Sequence, residues 1–303
     1  GSTKETSYRI PVRFISNGSP LKTFNIWVDQ VPLFGAAGIT IAAGKRKQMD
    51  TIITVPLIPG NNLIEAECTS VDGIRSIREQ ISIRCTANAG SKTWFVGIGI
   101  DRFAESGHDL NYSVKDIRDL AIKYRERFGA ELMIDTLFNE AVSNTAVKAL
   151  KEKLKKTAPN DRVIIAYSGH GLLSKDFDYY LSTYLVNFDQ PEQNGLAYEE
   201  LESLLDNIPA RKKLMLIDAC HSGEVDKEEM TRITAAADSL QQEGTKGGKP
   251  KYTGKTVLGM KNSFELMQSL FVNVGRSTGA TIISAAAGTQ FALERGDLKN
   301  GVF

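Results

Sequence analysis

Hydrophobic and polar positions follow two different rhythms along this chain. Up to about residue 86, apolar residues come in short and often alternating runs: YRIPVRFIS, FNIWVDQVPL, DTIITVPLI, NNLIEAECTS and IREQISIRCT. These runs are rich in β-branched and aromatic residues, and SNGSP, PGNN and VDG punctuate them, so each is expected to form a strand ended by a turn. No stretch in this part has a helical period. From Thr93 the rhythm changes. TWFVGIGI (93–100) is almost continuously apolar, the pattern of a strand buried on both faces. SVKDIRDLAIKYRERFG then places Val114, Ile117, Leu120, Ala121 and Tyr124 at helical spacing, with Gly129 as the stop. ELMIDTLFN reads as a strand, and SNTAVKALKEKLKK as a helix capped by Ser143 or Asn144. RVIIAYSGHG is a strand, AYEELESLLDNI a helix and RKKLMLIDAC a strand; SFELMQSLFVNVGR and ATIISAAAG add a further helix and strand.

Five or more short strands in so brief a segment predict a small all-β sandwich of immunoglobulin or fibronectin type over residues 1–88. ANAGSK (Ala87–Lys92) is small and polar, as a boundary segment is. Strand–helix alternation over residues 89–303 predicts an α/β domain, a mostly parallel sheet flanked by helices. Its one break is the polar insertion Glu224–Lys255, which ends in QQEGTKGGKPKYTGK and offers little apolar surface to bury. A length of 303 residues suits two such domains.

Composition narrows the function classes. With a net charge of +1, the chain has no excess of positive charge to bring it to nucleic acid or an anionic membrane, so neither is expected as a partner. No apolar run approaches the roughly 18 residues of a spanning helix. The opening GSTKETS lacks Met and reads as a scar of tag removal, so native targeting signals are expected to have been cut away and no compartment is assigned. Three cysteines make no disulfide framework. Pairing about Asp72-Gly73 sets Cys68 opposite roughly Ile77, out of reach of Cys85, so both are expected to be small buried hydrophobes. Cys220 is left as the thiol with a candidate task.

His170 and Cys220 each sit at the carboxyl end of a predicted strand, His170 in AYSGHG and Cys220 in IDACHSG. Ligands and active sites gather at that edge of a parallel sheet, so the two residues are expected at one mouth. Side chains two apart share a strand face, which pairs Ser168 with His170 and Asp218 with Cys220. A cysteine nucleophile needs a base or cation to reach the thiolate and an acid to protonate the leaving amine; a histidine supplies both. Flanking glycines let a substrate backbone come close. Metal binding is the rival, since His170, Cys220 and His221 are all ligand types, but their spacing fits no common zinc pattern. A phosphatase loop would need Arg six residues after the cysteine, where this chain has Asp226.

YSGHG and DACHSG together resemble the motifs of the caspase–metacaspase superfamily of cysteine peptidases, closest to its prokaryotic metacaspase-like members, over about residues 92–303. DACHSG follows the metacaspase pattern and not the Gln-Ala-Cys-Arg-Gly of animal caspases. The resemblance implies a caspase-like fold, Cys220 as nucleophile, His170 as acid/base, and an oxyanion hole from the backbone N–H groups of Gly171 and Cys220. No cofactor is required by that chemistry. YSVKD resembles the segment that lines the metacaspase pocket, which places Ser113 and Asp116 beside Ser168 and Asp218. Paired carboxylates there favour a guanidinium, so protein or peptide substrates cut after Arg, then Lys, are expected. The plain alternative is that Asp116 serves only its own helix and Asp218 only loop amides. Lys246, Lys249, Lys251 and Lys255 in the insertion are candidate self-cleavage positions, by resemblance to processing between the halves of caspases. Many metacaspases need calcium, for which Asp189, Asp226, Glu228 and Glu229 are candidates by composition alone. The chain stops at NGVF, where the family usually continues into another strand and helices. A reading from another class remains beside this one: a catalytically silent scaffold that binds partners through its sandwich.

Overall fold

A computed structural model of the protein describes residues 1–176, 178–221, 277–284, 294–295 and 300–301. The amino-terminal runs form strands, as their alternation predicts. They are β1 (Ser2–Thr3), β2 (Ser7–Ile15), β3 (Leu21–Val28), β4 (Val31–Pro32), β5 (Ile39–Thr40), β6 (Gln48–Pro56), β7 (Gly60–Ser70) and β8 (Glu79–Cys85). One sheet runs β1-β8-β7-β3-β4 with β5 also on β3, and a second is the antiparallel pair β2-β6. Phe14, Ile53 and Val55 from the pair join Phe24, Ile26, Val28, Ile64 and Ile83 from the larger sheet in a single apolar core, so the two sheets share one interior. Cys68 and Cys85 are free thiols.

The run FNIWVDQVPL, read as one strand, is two. Asp29 and Gln30 both take positive φ (52° and 69°), which folds Val28 back onto Val31 as a tight hairpin turn. The sequence shows no glycine there. Tertiary bonds supply the compensation: Asp29 N–H donates to the Leu63 carbonyl at 2.8 Å, and Leu63 N–H donates to Asp29 Oδ1 at 2.9 Å.

Beyond this unit come β9 (Thr93–Gly99), α1 (Ser113–Phe128), β10 (Leu132–Phe138), α2 (Asn144–Leu154) and β11 (Arg162–Leu173). Then follow β12 (Tyr179–Leu181), β13 (Leu196–Ala197), α3 (Tyr198–Ser203), β14 (Lys212–His221), β15 (Thr281–Ser284) and the short pair β16 (Glu294–Arg295) and β17 (Asn300–Gly301). Strands β10-β9-β11-β14-β15 are parallel neighbours. β12 and β13 extend the sheet antiparallel, with β12 pairing the last residues of β11. Period-two alternation divides the sheet faces. Phe95, Ile164, Ala166 and Leu216 meet Ile117 of α1, whereas Val163, Ile165, Met215 and Ile217 meet Val147 and Leu150 of α2 and Leu201 of α3. Helices therefore cover both faces, as buried parallel strands require. Ser143 caps α2 by accepting from Ala146 N–H at 3.2 Å.

α3 is shorter than its periodicity predicts. After Ser203 the chain tightens into i→i+3 turns (Leu204 N–H to Leu201, Leu205 N–H to Glu202), and Asn207 turns left-handed at φ 51°. The Lys151 ammonium donates to the carbonyls of Ser203 and Asp206, which makes the early ending tolerable. The helix read in SFELMQSLFVNVGR and the insertion Glu224–Lys255 lie outside the described residues.

The two units meet at the foot of β14. Arg211, just before that strand, is buried and donates from Nη1 to Asp29 Oδ2 (3.2 Å) and Asn62 Oδ1 (3.1 Å), and from Nη2 to the Pro56 carbonyl (2.7 Å). Burial pulls its pKa down and Asp29 pulls it back up. Two residues on, Lys213 is also buried and donates to the Thr278 carbonyl at 2.9 Å. Burial lowers the pKa of Lys213 from 10.5 to about 8.

These buried cations give two stability predictions. Arg211→Met leaves Asp29 and the Pro56 carbonyl without their donor and is expected to cost about 2 kcal/mol, since Asp29 keeps some water. Denaturant titration checks this, and an unchanged midpoint would refute the clamp. For Lys213, the unfolded chain binds the extra proton between pH 8 and 10.5, so this group makes stability rise with pH through that window. Lys213→Met should therefore raise the stability at pH 7, by on the order of 3 kcal/mol at most, and with it the thermal midpoint, and flatten that rise. Midpoints of both proteins from pH 7 to 10 decide it.

Candidate active site

β11 and β14 pair in register from Arg162↔Lys212 to Gly171↔His221, which sets Ser168 opposite Asp218 and His170 opposite Cys220. Neighbouring strands lie about 4.8 Å apart, so the backbones carrying the imidazole and the thiol are one strand spacing from each other. Both are at the carboxyl edge, where β9 has already ended its pairing at Gly99↔Ser168. The strand read in RVIIAYSGHG ends at Gly171. The structure carries β11 on to Leu173 because β12 takes up the side that β9 vacates, pairing Gly171 with Leu181.

The half-buried His170 ring is held from a direction the sequence did not show. Its Nε2 lies 2.7 Å from the His108 carbonyl. A carbonyl can only accept, so Nε2 carries the proton, and in neutral imidazole Nδ1 is then the basic nitrogen. Phe103 (5.3 Å between centroids) and Phe188 (5.5 Å, edge-on) wall the ring. His108 stacks on Phe188 at 3.7 Å with 7° between planes, and its Nε2 is 3.5 Å from Glu105 Oε1.

The segment presenting the His108 carbonyl is built by local bonds. Asn139, at φ 46°, accepts through Oδ1 from the N–H groups of Asp101 (3.0 Å) and Arg102 (3.1 Å). Arg102 Nη1 donates to the Leu110 carbonyl at 2.5 Å, and Phe103 N–H donates to Asp109 Oδ1 at 3.2 Å. Asp101 Oδ2 accepts from Val114 N–H at 3.4 Å in the first turn of α1.

That helix lies close against β9 because two glycines admit it. A Cβ at Gly97 would lie 2.5 Å from Ile117 Cγ2, and one at Gly99 would lie 2.9 Å from the Ser113 carbonyl oxygen. The close approach forms a cavity of about 580 Å³ between α1 and the sheet, lined by Asp116, Asp119, Lys123, Ser168, Asp218 and apolar neighbours. Three carboxylates and one ammonium give it a formal charge of −2 when all are ionised. Lys123 is held charged by its hydrogen bond to Glu126. The structure thus gathers Asp116, Ser168 and Asp218 on one wall system, whereas Ser113 is buried in the first turn of α1 and does not line the cavity.

Among the other candidates, Asp189 is an exposed residue whose N–H donates to Asn187 Oδ1 at 3.0 Å. Asp226, Glu228, Glu229, Lys246, Lys249, Lys251 and Lys255 lie outside the described residues. No group of three or more His, Cys, Asp or Glu residues among the described residues is placed to hold a metal ion. No helix among the described residues is long and apolar enough to cross a membrane.

Sheet order, flanking helices and a histidine–cysteine pair on adjacent strands at the carboxyl edge define an α/β protein of the caspase-like class. The Caspase domain family (Peptidase_C14) matches residues 94–303, and the chain belongs to it. Metacaspase-1 of Meyerozyma guilliermondii is 26% identical over 142 residues, covering 42% of this chain and 34% of that protein. Metacaspase-1A of Aspergillus oryzae is 26% identical over 161 residues, covering 48% and 38%. The chain spans about a third of the length of the curated relatives it matches. A solved protein from Geobacter sulfurreducens is 20% identical with a TM-score of 0.45, over 70% of this chain and 78% of that one.

Sequence reasoning missed His108, Phe103, Phe188, Asn139 and Asp101. Their parts are played by a backbone carbonyl, by ring faces and by turn-building bonds, none of which leaves a motif.

Proposed function

We propose that the protein is a cysteine endopeptidase that cuts after Arg, and less readily after Lys, with Cys220 as nucleophile and His170 as acid/base. The observation that carries this reading is the register His170↔Cys220 together with the His170 Nε2 bond to His108. In this reading the Cys220 thiolate attacks the scissile carbonyl carbon, forming the C–S bond and an oxyanion. The N–H groups of Gly171 and Cys220 receive that charge. The intermediate collapses, the C–N bond breaks, and His170 gives its proton to the leaving amine. Water then attacks the acyl-enzyme, His170 takes the proton, and the C–S bond breaks to release the acid. The His108 carbonyl, by fixing Nε2–H, leaves Nδ1 to make both transfers.

The cavity under α1 supports the basic preference. Asp116 and Asp218 provide carboxylates that a guanidinium satisfies through paired hydrogen bonds, and Ser168 adds a hydroxyl. Residues 1–88 are read as an immunoglobulin-like sandwich without a catalytic part, docked on a peptidase domain of residues 89–303. The shared core of its two sheets supports that reading. Calcium, for which Asp189 is the one described candidate, is not needed by any of these steps.

Peptides differing only at the residue before the cut should be hydrolysed in the order Arg, Lys, then all others. Cys220→Ala or His170→Ala should lower kcat/KM by roughly a thousand-fold or more. Asp116→Asn should weaken the Arg preference more than overall turnover. A preference for Asp or for large apolar residues would overturn the pocket and spare the dyad, whereas full activity of Cys220→Ala would overturn the peptidase reading. Self-cleavage is expected within about residues 246–255, since Lys246, Lys249, Lys251 and Lys255 follow the nucleophile closely in sequence. Mass spectrometry of incubated wild type should find new ends there, absent from Cys220→Ala; equal cutting in both would refute it.

A further inference from the structure

The main chain of His170 is held at both its N–H and its carbonyl by a buried pair of residues, Ser182 and Tyr167, whose hydroxyls the reaction itself does not use. Ser182, just past β12, is 0% exposed, and Tyr167, three residues before His170, is 1% exposed. His170 N–H donates to Ser182 Oγ at 3.1 Å, and Ser182 N–H donates to the His170 carbonyl at 2.9 Å. The two residues thus exchange both of their bonds, with one bond ending on a side chain. Tyr167 Oη lies 2.9 Å from Ser182 Oγ, 3.0 Å from the Ser182 carbonyl and 3.2 Å from the His170 carbonyl.

Proton inventory fixes the direction of every bond. Carbonyls only accept, so the single Tyr167 proton goes to them. Tyr167 Oη therefore accepts from Ser182 Oγ–H, and Ser182 Oγ in turn accepts from His170 N–H. Each hydroxyl donates once and accepts once, with no proton missing and none surplus. Burial raises the Tyr167 pKa, so the phenol keeps its proton throughout the working pH range. The strand leaves room for this arrangement only because residue 169 is glycine. A Cβ there would lie 2.7 Å from Tyr167 Oη, 3.1 Å from Ser182 Oγ and 2.6 Å from Ile100 Cγ2.

We propose that Tyr167 and Ser182 are positioning residues for His170, a closed hydroxyl relay that fixes its backbone so that the ring reaches the His108 carbonyl with Nε2 and keeps Nδ1 as its basic nitrogen. Ordinary strand pairing would hold a backbone too, but the β9 register ends at Gly99↔Ser168 and the β12 register begins at Gly171↔Leu181, with His170 between them. Ser182 fills the gap at the one residue whose orientation the chemistry depends on. Because low dielectric strengthens such a network and penalises a broken one, each hydroxyl matters beyond its own bond. This inference deepens the peptidase reading and rests on it for its catalytic consequence.

The test uses the full chain with Ser182→Ala, Tyr167→Phe and the double variant. Each substitution removes a single oxygen, and thermal midpoints confirm folding. Should Ser182→Ala fail to fold, Tyr167→Phe alone carries the comparison. Turnover of the preferred peptide is expected to fall about ten- to a hundred-fold in kcat, with KM within about two-fold, since small misplacement of a catalytic group costs on this scale. The double variant should be no worse than the more damaged single one, as for two parts of one network. A readout independent of activity comes from the imidazole N–H signals, because only three histidines are present. With ¹⁵N-labelled histidine, and His170→Ala for assignment, the His170 Nε2–H resonance should be sharp in wild type and lost to exchange in both variants. Wild-type kcat with an intact His170 signal in the variants overturns the proposal, and so do additive losses accompanied by raised KM. An inactive wild type that still shows the signal change would sink the peptidase reading and leave the relay standing.

Discussion

Ten successive residues of β11 pair in parallel with ten of β14, from Arg162↔Lys212 to Gly171↔His221, and the whole carboxyl edge depends on that register. A slip of one residue would exchange the two faces of either strand. Ser168 and Asp218 would leave the α1 side, Tyr167 would leave the core, and the His170 and Cys220 backbones would no longer stand opposite one another. The register is held by hydrophobic burial. Ile164, Ala166 and Leu216 pack toward α1, while Val163, Ile165, Met215 and Ile217 pack toward the opposite helices, with most of these side chains essentially removed from water. Each such side chain contributes on the order of 2 kcal/mol, so a slipped pairing loses many times what any single polar contact at the edge supplies.

The same strand is tied at its other end by polar groups that burial makes expensive unless they are paired. Arg211 finds Asp29, Asn62 and Pro56 in the amino-terminal unit, and Lys213 finds the Thr278 carbonyl beside β15. β14 thus runs from a foot that joins two units to a mouth that carries the thiol. The hairpin turn at Asp29 belongs to this arrangement, because the residue that bends the amino-terminal strand also receives the Arg211 guanidinium.

At the mouth, rigidity comes from different sources on the two sides of His170. Backbone position is set by Ser182 and Tyr167, ring direction by the His108 carbonyl, and ring enclosure by Phe103 and Phe188. The cavity under α1 is set by something simpler, the absence of side chains at Gly97 and Gly99, which lets the helix bring Asp116 to the sheet edge near Asp218. The acidic cavity and the held imidazole are therefore placed by separate structural devices, and substitutions in one need not disturb the other.

What the sequence determined by itself was whatever is local in period or motif. Alternation in YRIPVRFIS marked a strand, helical spacing from Val114 to Tyr124 with Gly129 as a stop marked α1, and Ser143 was legible as a cap. The two glycine-flanked motifs put His170 and Cys220 at the ends of parallel strands, which pattern and connection rules alone place on one edge. Tertiary structure decided the rest. A turn at Asp29-Gln30 without glycine, an α3 cut short beside Lys151, and a β11 that runs past His170 all depend on partners distant in sequence. Ser113 shared a motif with Asp116 yet lies buried in the first turn of α1 and does not line the cavity, a placement that only the docked helix decides. The His108 carbonyl and the Ser182 hydroxyl left no trace in the sequence for the same physical reason. A backbone carbonyl is identical at every position and a serine is common, so only the path of the chain can bring either one to the histidine.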